Sequence, residues 1–174
     1  MDVSITALNK KEASPKSDAE STAVRQRLDV LITGVVMAEK NCKFVIHGKV
    51  VGKGRPHFVR KTGVALTPQA TRSYESIIRD NAYREMNGDE PWTAPVVAKV
   101  VAYYEIPKSW TKLKKEMASK QLIAPSKPDV DNIVKIVLDA CNRTVYQDDT
   151  QVVLCVAQKL WGEKARLEVE FTEA

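Results

Sequence analysis

Two short runs carry the residues best suited to chemistry. Lys127-Pro128-Asp129-Val130-Asp131-Asn132 is followed by Lys135, and Tyr146-Gln147-Asp148-Asp149-Thr150-Gln151 comes shortly after. Between Lys127 and Val153 gather Asp129, Asp131, Asp139, Asp148 and Asp149, in a chain whose formal net charge is +5. Neighbouring carboxylates repel one another unless something cationic lies between them. Hard oxygen ligands of this kind suit Mg²⁺, which keeps several waters and accepts substrate phosphate oxygens as further ligands. Such ions lower the pKa of a bound water and stabilise a leaving oxygen; when paired they sit ~3.5–4 Å apart. A lysine beside them can neutralise charge developing on a phosphate.

Each residue also has a plainer reading. Asp131 is a good helix N-cap, and carboxylates favour a helix N-terminus. Asp148 and Asp149 are good turn residues ahead of a strand. Lys135 stands one helical turn after Asp131, so an ion pair with Asp131 or Asp139 is open to it. Asp139 reads as a structural partner of Lys135 rather than a ligand. A lone Asp-x-Asp before a helix fits the cap; the second acidic pair tips the weighing toward a bound cation.

The surrounding charge points to a polyanion. Residues 1–40 hold six bases and six acids, so the whole excess lies in residues 41–174. From Asn41 to Tyr74 there are seven bases, Lys43, Lys49, Lys53, Arg55, Arg60, Lys61 and Arg72, and no acid. Lys108, Lys112, Lys114, Lys115, Lys120 and Lys127 form a second cluster, interrupted only by Glu116. Two basic stretches flanking an acidic pocket suit a phosphate backbone that is both gripped and attacked. A solubilising surface is the alternative for either stretch alone. Lys53, Arg55, Arg60 and Lys61, with Lys112, Lys114, Lys115 and Lys127, are the candidate backbone contacts. Tyr103, Tyr104 and Trp110 could stack on an unpaired base, although packing accounts for at least two of them.

These residues need elements to hold them. Lys43-Phe-Val-Ile-His-Gly-Lys-Val-Val is β-branched and reads as a strand. GKGRP reads as a loop, and HFVR-KTG-VALT as a short hairpin. The next segment predicts a helix with Thr67 as N-cap, Pro68 first inside and Gly88 near the stop, burying Ala70, Tyr74, Ile77, Ile78 and Ala82. Pro95–Ile106 predicts a strand. A basic helix follows, with Trp110, Leu113 and Met117 along one side. If residues 127–131 are extended, Asp129 and Asp131 point the same way. A helix then begins around Asp131 and buries Ile133, Ile136, Val137 and Ala140. DTQVVLCVAQKLW and ARLEVEFTE predict two antiparallel closing strands joined at Gly162. The sum is an α+β fold: a single domain with a mixed β-sheet and helices packed on one face.

Residues 1–40 read as an N-terminal extension, disordered at first and helical from about Asp18 to Lys40; residues 41–174 form the domain. A start at Met37 is the alternative to Met1, and the intact mass of the native protein decides between them. The apolar run Val30–Ala38 is too short to cross a bilayer, so no membrane partner is expected. The three cysteines include no Cys-x-x-Cys pair, which argues against zinc and disulfides and for a reducing, cytoplasmic setting. GKGR lacks the spacing of a P-loop, so no nucleotide cofactor is expected. Nor is there a Ser/His/Asp arrangement for covalent catalysis.

Taken in order, KPDVDN, Lys135 and DDTQ resemble the signature of the RusA family of Holliday-junction resolvases of bacteria and phages. The stretch GKGRPHFVRKTGVALTPQATRSYE is similar to that family's N-terminal portion, and the likeness runs from about Lys43 to Phe171. The resemblance implies a homodimeric endonuclease that places paired symmetric nicks in a four-way DNA junction, in recombination and repair. It implies Mg²⁺ as cofactor, with Mn²⁺ able to substitute, and Asp129, Asp131 and Asp149 as metal ligands. Lys135 would be the catalytic lysine, and Asp148 an acid at the catalytic centre. The setting implied is a bacterial or phage-infected cell. Two alternatives stay open: a metal-dependent nuclease for branched or flapped DNA, and a non-catalytic junction-binding protein. The intact Asp129, Asp131, Asp149 and Lys135 argue against the second.

Overall fold

The computed structural model describes residues 40–59 and 64–174, without the side chains of 57–59 and 64. The extension up to residue 39, the alternative start at Met37, and Arg60 and Lys61 lie outside the described residues.

Strand β1 (Asn41–His47) alternates strictly, burying Cys42, Phe44 and Ile46. It ends at Gly48, whose φ of 111° favours glycine. Two short strands, β2 (His57–Val59) and β3 (Val64–Leu66), pair antiparallel as the expected hairpin. Helix α1 (Gln69–Met86) follows, then β4 (Val96–Glu105), α2 (Lys112–Ser119) and α3 (Val130–Cys141). A 3₁₀ turn (Asp149–Gln151) leads into β5 (Val152–Gly162), and β6 (Arg166–Glu173) completes the sheet.

Among the described residues the main sheet has four strands in the order β1-β6-β4-β5. β6 runs antiparallel to both β1 and β4, while β5 runs parallel to β4. The sheet is therefore mixed, as expected. The closing hairpin is not formed, because β4 lies between β5 and β6. Gly162 sits beside Glu105 and Arg166 beside Tyr103, so residues 163–165 step over the end of β4. Burial explains the order. β4 and β6 carry Val96, Ala98, Val100, Ala102, Leu167, Val169 and Phe171, nearly all without exposure, and so belong inside. β5 leaves Val153, Cys155 and Val156 exposed, which suits an edge.

Helices α1 and α3 cover one face. From α1 come Tyr74, Ile78, Ala82 and Met86, and from α3 Ile133, Ile136, Val137, Ala140 and Cys141; these join the strand residues in one core. Four expectations are corrected here. The N-cap of α1 is Pro68 rather than Thr67, and its carbonyl accepts from Arg72 N; the helix closes on Asn87 at φ 48°, next to Gly88 as expected. Its buried face is Thr71, Tyr74, Ile78, Ala82 and Met86; Ala70 and Ile77 are exposed. In α2 only Ala118 is buried, so the Leu113–Met117 stripe faces outward. Trp110 packs instead edge-on against Trp161 at 5.1 Å. Finally, α3 begins one residue earlier than expected, which makes Asp129 its N-cap and places Asp131 in the first turn.

Candidate active site

Helix α3 and the turn before β5 bring the acids together. Asp131, Lys135 and Asp139 lie at successive turns of one helix face. They line an open cleft of about 540 Å³ with Val130, Val134, Leu138, Asp149, Cys155 and Ala157. Asp149, at the start of the 3₁₀ turn, joins the same lining. Asp129 is not part of this lining. It caps α3 through its backbone, and its carboxylate makes no cap hydrogen bond. Lys135 is exposed and, among the described residues, forms no ion pair.

The segment carrying Asp129 and Asp131 is held from two sides. Lys53 N donates to Asn132 O at 2.8 Å, drawing the GKG loop against the start of α3. Gly52 permits this approach, since a Cβ there would meet Pro128 Cβ at 2.7 Å. On the other side Lys159 Nζ, from β5, donates to Ser126 O at 3.1 Å and Pro128 O at 3.0 Å. The far wall is fixed through Tyr146. Its ring is fully buried against Phe171, and its hydroxyl donates to Leu138 O at 2.9 Å. The turn carrying Asp149 is thus tied back to the helix carrying Asp131.

Asp148 has a different position. Its carboxylate accepts from Thr150 N at 3.0 Å and caps the turn. Hydrogen bonds from Thr150 hold its carboxyl below the ordinary range. Among the described residues it does not line the cleft.

Lys53 reaches both Glu75 on α1, at 2.5 Å, and Asp139, at 2.7 Å. Asp139 is therefore paired with Lys53, not with Lys135 as the helical spacing had suggested. Burial alone would lower the pKa of the Lys53 ammonium; its hydrogen bonds to Asp139 and Glu75 outweigh that and raise it. Lys53 is engaged within the protein, whereas Arg55 and Lys127 are exposed. Lys112 and Lys115 line a shallow cleft of about 600 Å³ with Lys108. Lys114 lies over the Trp110 ring at 3.9 Å. Tyr104 and Trp110 both meet Trp161 edge-on, and Tyr103 carries the Arg166 guanidinium at 3.6 Å. All three aromatic candidates are used internally.

The acids of the cleft are the hard-oxygen donors that a divalent ion uses. Asp131 and Asp149 offer hard oxygens across one cleft, and Asp129 has a carboxylate not spent on capping. Among the described residues no group of three or more His, Cys, Asp or Glu side chains is placed to hold a metal ion. The donor chemistry of Asp131 and Asp149 is the kind Mg²⁺ uses, since it takes one or two carboxylates and fills the remainder with water and phosphate oxygens.

Sequence reasoning missed Lys159, Tyr146 and the part played by Gln151. Lys159 and Tyr146 gave no local signal, since a strand lysine and an apolar-flanked tyrosine have many uses.

Comparison with known proteins follows the same residues. Residues 47–172 match the family described as Endodeoxyribonuclease RusA. A Bacillus subtilis (strain 168) protein, described as Uncharacterized protein YqaN, is 38% identical over 135 residues, covering 75% of this chain and 95% of its own length. A shorter match of 49 residues, 43% identical, links 28% of this chain to 37% of the crossover junction endodeoxyribonuclease rusA of Lactococcus phage r1t.

Proposed function

We propose that this chain, which belongs to the RusA endodeoxyribonuclease family, hydrolyses phosphodiester bonds at four-way DNA junctions. The observation that carries the reading is the joint placement of Asp131, Lys135 and Asp149 in one open cleft. Asp131 and Asp149, with Asp129 beside them, would hold Mg²⁺, or Mn²⁺ in its place. When bound, the ion supplies an activated water and charge neutralisation at the leaving oxygen. Lys135, free of any carboxylate partner among the described residues, donates to a non-bridging phosphate oxygen as charge accumulates there. Lys53 and Asp139 neutralise one another and brace the helix. Arg55, Lys127, Lys112 and Lys115 meet the DNA backbone and fix its register without reading sequence. Two cuts in opposed strands call for two such sites, which a two-fold homodimer supplies.

The test uses a synthetic four-way junction labelled on each strand in turn, with Mg²⁺ or with EDTA, beside linear duplex and flap DNA. Paired symmetric nicks on the junction alone, and only with Mg²⁺, are expected. Equal cutting of flaps would replace the resolvase reading with a nuclease tolerant of branch type. Binding without cutting would overturn the catalytic reading.

A further inference from the structure

We propose that Gln151 is the positioning residue that sets Asp149 in the cleft. The inference rests on the metal-dependent reading above. Gln151 Oε1 accepts from Gln147 N at 2.9 Å and from Asp148 N at 3.0 Å. Its Nε2 donates to Trp92 O at 3.0 Å and Ala94 O at 2.8 Å. One side chain therefore makes four hydrogen bonds, to the two backbone N–H groups just before Asp149 and to two carbonyls of a distant segment. Trp92 is a firm anchor: it is buried, and its own N–H donates to Val145 O at 2.9 Å.

The chemistry selects glutamine. The site needs two acceptor positions on one end and two donors on the other, which only a carboxamide offers. Glutamate lacks the donors and would set its charge against two carbonyl oxygens. Asparagine is one methylene short, and lysine has no acceptor. Asp148 closes the same turn from its other end, so its carboxylate works with Gln151 as a capping box. Asp149 lies between these two restraints, with its backbone fixed and its carboxylate left for the cleft. Ligand-orienting partners of this kind typically change metal affinity or activity by ~10–100-fold when removed.

The test compares the full chain with Gln151→Met, Gln151→Glu and Asp149→Asn. Free Mn²⁺ is followed by electron paramagnetic resonance without DNA, and junction binding is measured in EDTA. Gln151→Met should weaken Mn²⁺ binding by about 10–100-fold with junction binding unchanged. Gln151→Glu should fall between it and the parent, because it keeps the two bonds from the 147 and 148 N–H groups. If Gln151→Met does not fold, the Gln151→Glu result carries the test. Parent-like Mn²⁺ binding in the folded Gln151 variants, with binding lost in Asp149→Asn, would overturn this inference alone. Parallel loss of Mn²⁺ and junction binding in both Gln151 variants would also overturn it, as a general folding defect. A parent protein that neither takes up Mn²⁺ nor cuts junctions would remove the underlying reading as well.

Discussion

The Asp148 carboxylate accepts from Thr150 N at 3.0 Å, while Asp149 lines the cleft beside Asp131 and Lys135. Adjacent acids thus carry different loads, and substitution should separate them. Asp131→Asn and Asp149→Asn should each abolish junction cutting and leave junction binding intact or tighter, since a negative charge near DNA is removed. Cleavage retained in either variant would take that residue out of the mechanism. Lys135→Ala should slow cutting by about 10²–10³-fold, the usual cost of one donor to a developing anion, with binding unaltered; a normal rate would assign Lys135 to the surface. For Asp148 the sign follows from its lowered pKa. Its contribution is present above the ordinary carboxylate value of 3.8 and is lost as pH falls through the lower folded value. The Thr150 amide resonance should titrate with a midpoint below 3.8, and a midpoint at or above it would deny the cap. One acid of each sequence pair, Asp131 and Asp149, lines a cleft with Lys135, while Asp129 and Asp148 cap the elements beside it. Asp148-x-x-Gln151 also carried a capping-box signature, but weighing Asp148 and Asp149 as metal acids or generic turn residues passed over Gln151.

Lys53 joins the loop after β1 to α1 and α3 through Glu75 and Asp139. Its partly buried position places the network between exposed and buried ion pairs. Lys53→Met should therefore destabilise the domain by about 1–2 kcal/mol, leaving two carboxylates without their cation. Equilibrium urea unfolding measures this; an unchanged midpoint would show the clamp to be idle. Leu113, 70% exposed on α2, should tolerate Ser within about 0.5 kcal/mol. The contrast shows where sequence reading held and where it failed. β-Branched apolar runs located every main-sheet strand, and cap signals with helical spacing located the three described helices, although the stripe assigned to α2 faces outward. Pairing partners were not legible, because Lys53 meets acids 22 and 86 positions away and no local pattern reports that. Strand neighbours failed for a related reason: short links favour hairpins, but the burial of β4 and β6 outweighs the link between β5 and β6.

The whole chain has formal net charge +5, yet Asp131, Asp139 and Asp149 line the cleft, so the proposed function needs bases that hold DNA around an acidic centre. Replacing Arg55, Lys112 or Lys115 by alanine should weaken junction binding across all sequences. Each should reduce the slope of log affinity against log salt by about 1. An unchanged slope for a given variant would place that side chain away from the DNA. The proposed homodimer should sediment at twice the 19.4 kDa chain mass, and a monomer at working concentration would remove the paired-nick mechanism. The sheet order bears on biosynthesis. Of the main-sheet strands, β1 is made first and β6 last, yet they are neighbours, paired from Asn41–Thr172 to His47–Arg166. While β6 is still unmade, β1 has no partner in the sheet and β4 lacks one of its two, so the floor beneath the catalytic helix is incomplete. A ribosome-bound chain can display its lysines and aspartates without holding them in register. The cleft lined by Asp131, Lys135 and Asp149 rests on a complete sheet only once translation has delivered β6, so the last strand made is the one that finishes the support of the site.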